Sequence, residues 1–457
     1  MKTLLAFFAL VAVSFVLADD DLDLKFVQAV WRHGDRSPTM GFGNDIYTEK
    51  DWHQGWGQLS PLGMQQHVLL GTKVYGRYVK QIPFLSATYQ NHEIYVRSTD
   101  VNRTIISAMS NLIGMYNKAT VTKGVDYPDV PEWPSSFIPI AVHTVDNPTD
   151  YVGNPDSDCP RRFALYDELK KTPEYKALMA NYSSLYSYLT NKTGSEVNPE
   201  NMWSIRDAVF IEKCNNMKIV DFINDTTYLQ MEESDDLMDN YGTGVNLNVF
   251  NGLDIGLEIR KTRGGLLISE VANRINEKIN ALTDPKSTSW VKNLKYYVYS
   301  AHDTTVAATL AVLGIKDKVT PVGYPHYSGA VFFELYQSKS TKKFIVKIQY
   351  VYPPNGTAGG NDLTSKNYCN FSEDNLKATN PPNFCHISTA ISSNYTAGIP
   401  LADFINLAAP YQLKGSNAYA DLCANTKIRD NGSSSSVSIY LSTVMIFAFF
   451  TLNTLFL

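Results

Sequence analysis

One histidine stands between two arginines in residues 32–38, which read Arg-His-Gly-Asp-Arg-Ser-Pro. The guanidinium group of arginine is a planar fork of N–H donors that matches the oxygens of a phosphate. A neutral imidazole is a nucleophile that can attack phosphorus. The segment therefore predicts a phosphate site in which His33 attacks while Arg32 and Arg36 bind the oxygens. The alternative is a solvated loop in which both arginines pair with Asp35.

Two more segments place positive or titratable groups soon after apolar runs. Arg97 follows residues 94–96, and His302 and Asp303 follow residues 296–299. Arg97 and His302 could stabilise the charge of a transferring phosphoryl group. Asp303 could protonate the leaving alcohol and then help water to attack. Taken alone, Arg97 would be read as a surface residue and His302 as a buried structural histidine. Their equivalent positions, each following a predicted strand, are what indicates a site.

These segments need a fold that brings strand ends together. β-Branched and aromatic residues predict buried strands at 26–31, 94–96 and 296–299. A helical pattern follows each strand, with predicted caps at Ser60 before Pro61, at Asp100 before 101–116, and at Asp303 or Thr304 before 305–313. Repeated strand-then-helix units indicate an α/β fold with a mostly parallel central sheet flanked by helices. The ends of its strands line the ligand crevice.

The rest of the chain suggests a core with an insertion. Residues 331–335 and 344–350 predict a pair of strands. Residues 161–282 are mostly helical in pattern. We therefore expect an α/β core formed by 19–149 and 291–430, with a helical cap inserted at 150–290.

Composition narrows the class of protein. The chain has 457 residues, of which 44% are apolar and 19% charged, which excludes a disordered, collagen-like or coiled-coil protein. Lys and Arg number 40 against 45 Asp and Glu, a net charge of −5. A nucleic-acid partner is not expected, because such proteins carry a strongly basic face. An anionic ligand must be held by a local cluster of positive groups.

Both ends of the sequence are apolar. Lys2, the apolar run 4–17 and Ala18 before Asp19 are typical of a secretory signal peptide over 1–18. Residues 437–457 contain no charge and follow a run of small polar residues, which suits either a GPI-anchor signal or a membrane-spanning helix. Either segment would attach the protein to a membrane, facing out of the cytosol.

Two further features agree with export. Glycosylation sequons occur at Asn102, Asn181, Asn191, Asn224, Asn355, Asn370, Asn394 and Asn431. The five cysteines are Cys159, Cys214, Cys369, Cys385 and Cys423, and their spacing fits no metal site. Disulfides are the better interpretation in an oxidising compartment. The odd number leaves at least one thiol free or paired between chains.

The motifs around 32–38 and 299–305 resemble those of the histidine acid phosphatases, specifically the prostatic and lysosomal type. Further resemblance lies in 57–64 (Gly-Gln-Leu-Ser-Pro-Leu-Gly-Met), 97–100 (Arg-Ser-Thr-Asp) and 142–145 (Val-His-Thr-Val), and extends from about residue 26 to about 423. The resemblance implies that His33 is the phosphorylated nucleophile and Asp303 the proton donor. It implies phosphate binding by Arg32, Arg36, Arg97 and His302.

The resemblance also implies an α/β core with a helical cap and a homodimer. It implies disulfides Cys159–Cys423 and Cys369–Cys385. Cys214 departs from the family pattern, because it matches a bridged position but has no second partner in this sequence.

Together these features predict an acid phosphatase of the secretory pathway, located at the cell surface or in the lysosomal lumen. It would hydrolyse phosphate monoesters, either small molecules or phosphopeptides, through a phosphohistidine. No Walker loop or metal-ligand cluster is evident in the sequence, so we expect no metal or other cofactor. The alternative is a weakly active or inactive surface glycoprotein that binds phosphorylated ligands. The presence of both His33 and Asp303 favours the enzyme, because binding alone needs only the cations.

Overall fold

A mixed β-sheet with helices on both faces forms the centre of the protein. This computed structural model describes residues 20–117, 121–320, 323–351, 384–413 and 417–428. The predicted signal peptide, the apolar segment 437–457, Cys369 and the sequons at Asn355, Asn370 and Asn431 lie outside these residues. None of the helices in the described ranges is long and apolar enough to cross a membrane.

The sheet has eight strands within the described residues, in the order β3-β2-β4-β1-β5-β6-β7, with β8 also paired to β6. The strands are β1 (Leu22–Arg32), β2 (Ile94–Thr99), β3 (His143–Val145), β4 (Tyr296–Ala301), β5 (Ala330–Ser338), β6 (Phe344–Val351), β7 (Phe384–His386) and β8 (Ile399–Pro400). Strands β1 to β4 are mutually parallel, and every pairing from β5 onward is antiparallel. The predicted α/β fold and its strands are confirmed, and β1 to β4 and β6 run in one direction.

Strand β1 shows why these sequences form central strands. Successive side chains of a strand point to opposite faces of the sheet. Phe26 and Val30 pack into the apolar cluster on one face, while Val27, Ala29 and Trp31 pack into the cluster on the other. A run that is almost entirely apolar therefore suits a strand that is buried on both faces.

The helices follow the strands largely as predicted. They are α1 (Pro61–Tyr75), α2 (Asn102–Tyr116), α3 (Pro160–Leu169), α4 (Pro173–Asn181), α5 (Ser183–Thr193), α6 (Met202–Cys214), α7 (Asp225–Gly242), α8 (Ile255–Arg263), α9 (Gly265–Thr283), α10 (Asp303–Val312), α11 (Lys316–Val319), α12 (Ser388–Ile391), α13 (Leu401–Ala408) and α14 (Ala418–Ala424). A π-helical segment, Gly76–Gln81, continues α1. Short 3₁₀ segments lie at Glu49–Asp51, Asn147–Thr149, Trp290–Lys292 and Ala409–Tyr411.

Two of the three predicted helix starts need correction. Ser60 caps α1 as expected, since its Oγ accepts a hydrogen bond from Gly63 N at 3.0 Å. Asp100 is not the cap of α2, because Val101 occupies the capping position and no side chain caps it. Helix α10 begins at Asp303, with His302 before it, two residues earlier than the predicted start at Thr305.

Helices α3 to α8 form their own apolar clusters, for example one around Leu189, Met202 and Met231. Helix α9 differs, because Ile268, Val271 and Ile275 belong to the cluster that covers the sheet. We therefore propose that the inserted helical region spans about 150–264 and does not extend to 290.

A disulfide joins Cys159, just before α3, to Cys423 in α14. Cys214 is a free thiol at the end of α6. The pairing of Cys385 with Cys369 stays a prediction, because Cys369 lies outside the described residues.

Candidate active site

The ends of the parallel strands β1, β4 and β2 meet at one edge of the sheet. Arg32 is in register with Ala301, so the residues that follow each of them are neighbours. The backbone of His33 is fixed on both sides, since its N–H donates to Ala301 O at 3.0 Å and its carbonyl accepts from Ser328 N at 3.1 Å. The sheet therefore brings His33 to His302 and Asp303 without help from flexible loops.

Gly34 lets the loop after β1 pack directly on the start of α1. A Cβ added to Gly34 would lie 2.3 Å from the carbonyl oxygen of Gly63, far inside contact distance. The backbone N–H of Gly34 donates to Ser107 Oγ on α2 at 3.1 Å. Residues of α1 and α2 thus hold the loop in place, which explains why glycines stand in both 32–38 and 57–64.

The imidazole of His33 is oriented for attack by Nε2. Its Nδ1 lies 2.8 Å from the carbonyl oxygen of Gly34, and a carbonyl can only accept a hydrogen bond. Nδ1 therefore carries the proton, and the lone pair is on Nε2. Burial, followed by the charges of Arg103, Arg32, Arg36 and His302, lowers the pKa of His33 well below its usual value. The ring is neutral, as a nucleophile must be.

Arg32 and Arg36 lie beside this ring and are themselves held by carboxylates. Arg32 Nη2 lies 2.9 Å from Asp303 Oδ2, and its Nη1 donates to Pro325 O at 2.7 Å. Arg36 makes a bidentate pair with Asp207 of α6, at 2.8 and 3.1 Å. Both guanidinium groups are thereby fixed in orientation before any phosphate arrives.

The aromatic ring of Tyr327, which lies shortly before β5, lines the site on that side. Tyr327 lies under the guanidinium of Arg32, with 4.1 Å between Arg32 Cζ and the ring centre. Its ring centre is 6.0 Å from that of His33 and 6.3 Å from that of Phe210. Burial, only partly offset by Arg36 and Arg32, raises the pKa of Tyr327, so its hydroxyl stays protonated. Neither Tyr327 nor Asp207 had a local sequence signal, because each reaches the site from a distant segment.

Arg97 does not join the phosphate site, and its predicted role as a phosphate ligand is wrong. Its Nη2 donates to Asp150 Oδ1 at 2.5 Å, and its Nη1 lies 4.0 Å from Glu270 of α9. Arg97 lies two residues before the end of β2, within the sheet. Its guanidinium is therefore bound by these two carboxylates and not at the end of the strand.

Arg103 lies where Arg97 was expected. Its Nη2 is 3.4 Å from His302 Nδ1, and its charge acts strongly on His33. Burial and then the charge of Arg36 lower the pKa of Arg103 to about 10, so it remains a cation in neutral or acidic solution. Arg103 is the second residue of α2, at a helix N-terminus, which by itself favours an anion.

His302 faces His33 across the site. The two imidazole centres are 5.8 Å apart and the rings are inclined by 74°. Its Nε2 lies 3.0 Å from Thr99 Oγ1, while its Nδ1 faces the donor Arg103. Burial, and then Arg103, lower the pKa of His302 to about 3. It is therefore neutral in the empty site, with Nε2 protonated.

Asp303 begins α10 and is an anion in the empty site. Burial acts to raise its pKa, but the fields of Arg32, Arg36 and His302 outweigh burial and lower the pKa to about 2. Oδ1 accepts a hydrogen bond from Thr304 N at 2.8 Å, and Oδ2 faces Arg32. A phosphate bound to the arginines would weaken this field and let the carboxyl take up a proton.

The described site thus combines a neutral imidazole, three guanidinium groups, a second imidazole and one carboxyl group. The family model described as "Histidine phosphatase superfamily (branch 2)" matches residues 23–351. The chain is 32% identical over 346 residues to lysosomal acid phosphatase of Xenopus laevis, covering 74% of this chain and 72% of that protein. It is also 32% identical over 322 residues to prostatic acid phosphatase of Mus musculus, covering 69% and 76%.

A solved structure shows the same fold at much lower identity. The phytase from Citrobacter braakii matches with a TM-score of 0.55 and 15% identity, covering 88% of this chain and 100% of that one. The family match, the acid phosphatase relatives and the arrangement of groups agree. The chain therefore belongs to branch 2 of the histidine phosphatase superfamily, among its acid phosphatases.

Proposed function

We propose that the protein hydrolyses phosphate monoesters in acidic solution through a phosphohistidine on His33, without a metal ion. The observation that carries this proposal is the bond between His33 Nδ1 and Gly34 O, at 2.8 Å. It directs the lone pair of Nε2 into a site that Arg32, Arg36 and Arg103 surround. The same groups could bind phosphate without turnover, but binding alone would not need an oriented nucleophile.

In the first step the three arginines hold the phosphoryl oxygens. His302 joins them when the negative charge of the bound phosphate favours its protonated form, whose Nδ1–H can donate to an oxygen. His33 Nε2 attacks phosphorus and forms the P–N bond while the P–O bond to the alcohol breaks. The leaving oxygen takes a proton from Asp303, so that an alcohol departs and Asp303 is left as a carboxylate.

In the second step water replaces the alcohol. The carboxylate of Asp303 removes a proton from water as its oxygen attacks phosphorus. The P–N bond then breaks and its electron pair returns to Nε2. Inorganic phosphate leaves, and both His33 and Asp303 regain their starting protonation for the next substrate.

The preference for acid follows from the proton that Asp303 must carry. In the empty site the pKa of this carboxyl is about 2, so it is ionised at pH 5. Bound phosphate offsets the charges of Arg32 and Arg36 and raises that pKa. A phosphate monoester also binds a proton with a second pKa of about 6, so an acidic solution supplies substrate that brings a proton.

The proposed independence from metal rests on the cations already present. Arg32, Arg36 and Arg103 lie around His33, where a metal ion would otherwise neutralise the phosphoryl oxygens. Guanidinium groups that are fixed before substrate arrives provide such stabilisation without reorganisation.

Location in the secretory pathway is supported by several features together. The relatives include a lysosomal and a prostatic acid phosphatase, and the described sequon residues Asn102, Asn181, Asn191, Asn224 and Asn394 are exposed. The Cys159–Cys423 disulfide fits an oxidising compartment. Attachment to a membrane through 437–457, whether by a GPI anchor or a spanning helix, and a homodimer remain part of the proposal.

The test is hydrolysis of p-nitrophenyl phosphate near pH 5 with EDTA present. We expect activity in the wild-type protein and its loss in His33→Ala, because the nucleophile is absent. His143→Ala, an exposed histidine on β3, serves as the matched control and should keep full activity. Wild-type protein that binds phosphate without turnover would overturn the proposal in favour of a phosphoryl-ligand binder, and loss of activity in EDTA would overturn its metal independence.

A further inference from the structure

We propose that Arg97 and Asp150 are positioning residues that set where the Asp303 carboxyl lies relative to the leaving oxygen. Their side chains bind each other outside the phosphate site and act through the turn at 150–154. The inference rests on the proposed function, because it requires Asp303 to protonate the leaving group.

The first link is the ion pair that shapes this turn. Asp150 is fully buried, and its Oδ1 accepts from Arg97 Nη2 at 2.5 Å and from Gly153 N at 2.9 Å. The carbonyl of Asp150 accepts from Asn154 N at 2.9 Å. One carboxylate therefore organises the whole turn. A buried carboxylate without Arg97 would lack a compensating charge, so the turn could not keep this form unchanged.

The second link joins the turn to the start of α10. The hydroxyl of Thr305 donates to Gly153 O at 2.8 Å and accepts from His302 N at 3.3 Å. A single hydroxyl can do both. The turn is thus bonded, through Thr305, to the backbone immediately before Asp303.

The third observation is that Gly153 is packed closely against its neighbours, so the turn cannot shift without steric clashes. A Cβ on Gly153 would lie 2.6 Å from Asp150 Oδ2 and 3.1 Å from Thr99 Cγ2. Thr99 in turn holds His302 Nε2 at 3.0 Å. Arg97 and Thr99 stand on the same face of β2, two residues apart, since strand side chains alternate. Strand β2 therefore holds the start of α10 by two routes. Thr99 binds the ring of His302, and Arg97 acts through the turn at 150–154.

These contacts determine the position of Asp303 more than they determine phosphate binding. Arg32, Arg36 and Arg103 make none of the described contacts with the turn at 150–154. A displacement of about 1 Å at a reacting group can cost about 100-fold in rate. Loosening the turn should therefore impair protonation of the leaving group and leave the three arginines in place.

The experiment measures kcat and KM of Arg97→Gln, Asp150→Asn and Thr305→Val with two substrates. p-Nitrophenolate is a good leaving group and needs little help from an acid, whereas O-phosphoserine must release a poor one. We expect the ratio of the two kcat/KM values to shift by about tenfold or more against phosphoserine. This ratio reports the steps up to release of the alcohol and not the later hydrolysis of the phosphohistidine, which both substrates share. The ratio does not depend on the fraction of protein that is folded.

Two controls separate positioning from general destabilisation. Thr305→Ser keeps the hydroxyl and should restore the wild-type ratio. Arg77→Gln removes another buried ion pair, in which Arg77 Nε lies 2.6 Å from Glu334, on the antiparallel side of the sheet. It should lower stability without changing the ratio.

The outcomes are distinct. Equal loss with both substrates in Arg97→Gln, Asp150→Asn and Thr305→Val overturns the positioning role, and an altered ratio in Arg77→Gln does so as well. Asp303→Asn is the reference variant. If it shows no dependence on the leaving group, the donor role of Asp303 in the proposed function fails, and this inference fails with it. If Asp303→Asn shows the dependence and the other three variants do not, only this inference fails.

Discussion

The charge state of Asp303 links the site to the pH of its surroundings. In the empty site Arg32 and Arg36 keep its pKa at about 2, whereas the mechanism needs its protonated form. The substrate resolves this conflict, because a phosphate between the arginines removes the field that ionises the carboxyl. In the proposed mechanism the proton donor is therefore formed together with the enzyme–substrate complex.

The pH dependence of kcat should report this carboxyl. As pH rises, kcat of the wild-type protein should fall when Asp303 in the complex loses its proton. General acid catalysis contributes about 10²- to 10⁴-fold, so Asp303→Asn should lower kcat for an alkyl phosphate by about that factor and flatten the fall. Profiles of kcat from pH 3 to 8 for both proteins provide the measurement. The same alkaline limb in Asp303→Asn and in the wild-type protein would exclude this residue as its source.

For single residues, the sequence predicted position best where a residue directly follows a strand. His33 follows β1, and His302 and Asp303 follow β4, so strand order alone brings them to one edge, as the structure shows. Arg97 was misassigned because it lies within β2, where the face of the strand and nearby carboxylates decide its direction. That information resides in Asp150 and Glu270, which no local pattern connects to β2.

At the scale of elements, helix α6 connects the inserted region to the loop at 32–38. Asp207 lies on α6 and holds Arg36 by two hydrogen bonds. Its distance from Arg36 along the chain is 171 residues, so no spacing rule could have predicted the pair. The helical character of the region was predictable from its periodicity. The end that we propose for it, at about residue 264, was not predictable, because α9 has a similar amphipathic pattern but packs into the cluster that covers the sheet.

Replacing Asp207 should therefore reduce activity, although its carboxylate would not itself bind phosphate. A hydrogen bond to a charged group is worth about 1.5–3 kcal/mol, so Asp207→Ala should lower kcat/KM by about ten- to a hundredfold as Arg36 loses its orientation. Steady-state kinetics with p-nitrophenyl phosphate measures the change. The control is Asp225→Ala, which removes a fully exposed carboxylate near Lys213 and should change nothing. Higher kcat/KM in Asp207→Ala would mean that Asp207 competes with phosphate for Arg36.

Across the whole molecule, two sets of buried groups respond to acid in opposite ways. Burial lowers the pKa of His67, His302 and His326 to about 3. These histidines take up protons only on unfolding, so they reduce stability as pH falls below 6.5. Burial and Asp45 raise the pKa of Glu212 from 4.5 to about 8. The folded protein therefore binds a proton that the unfolded chain does not between those values, and stability rises as pH falls from about 8.

The two effects together predict greatest thermal stability in mildly acidic solution. From pH 8 to about 6.5 the carboxyl of Glu212 dominates, so the melting temperature should rise as pH falls. Below about 6.5 the unfolded chain gains up to three protons on these histidines, against the one that Glu212 holds in the folded protein, so the melting temperature should fall again. Scanning calorimetry across pH 3 to 8 tests this, and Glu212→Gln should weaken the rise between 8 and 6.5. A melting temperature that increases steadily up to pH 8 would contradict the prediction.

In the proposed mechanism, the hydrogen bond from His33 to the carbonyl of its own neighbour, Gly34, also decides the regiochemistry of the covalent intermediate. An imidazole has two nitrogens of similar intrinsic reactivity, and free histidine can carry a phosphoryl group on either. Here one nitrogen is occupied by the peptide backbone, so only the isomer phosphorylated on the far side of the ring can form. The selection is made by the main chain and not by a neighbouring side chain.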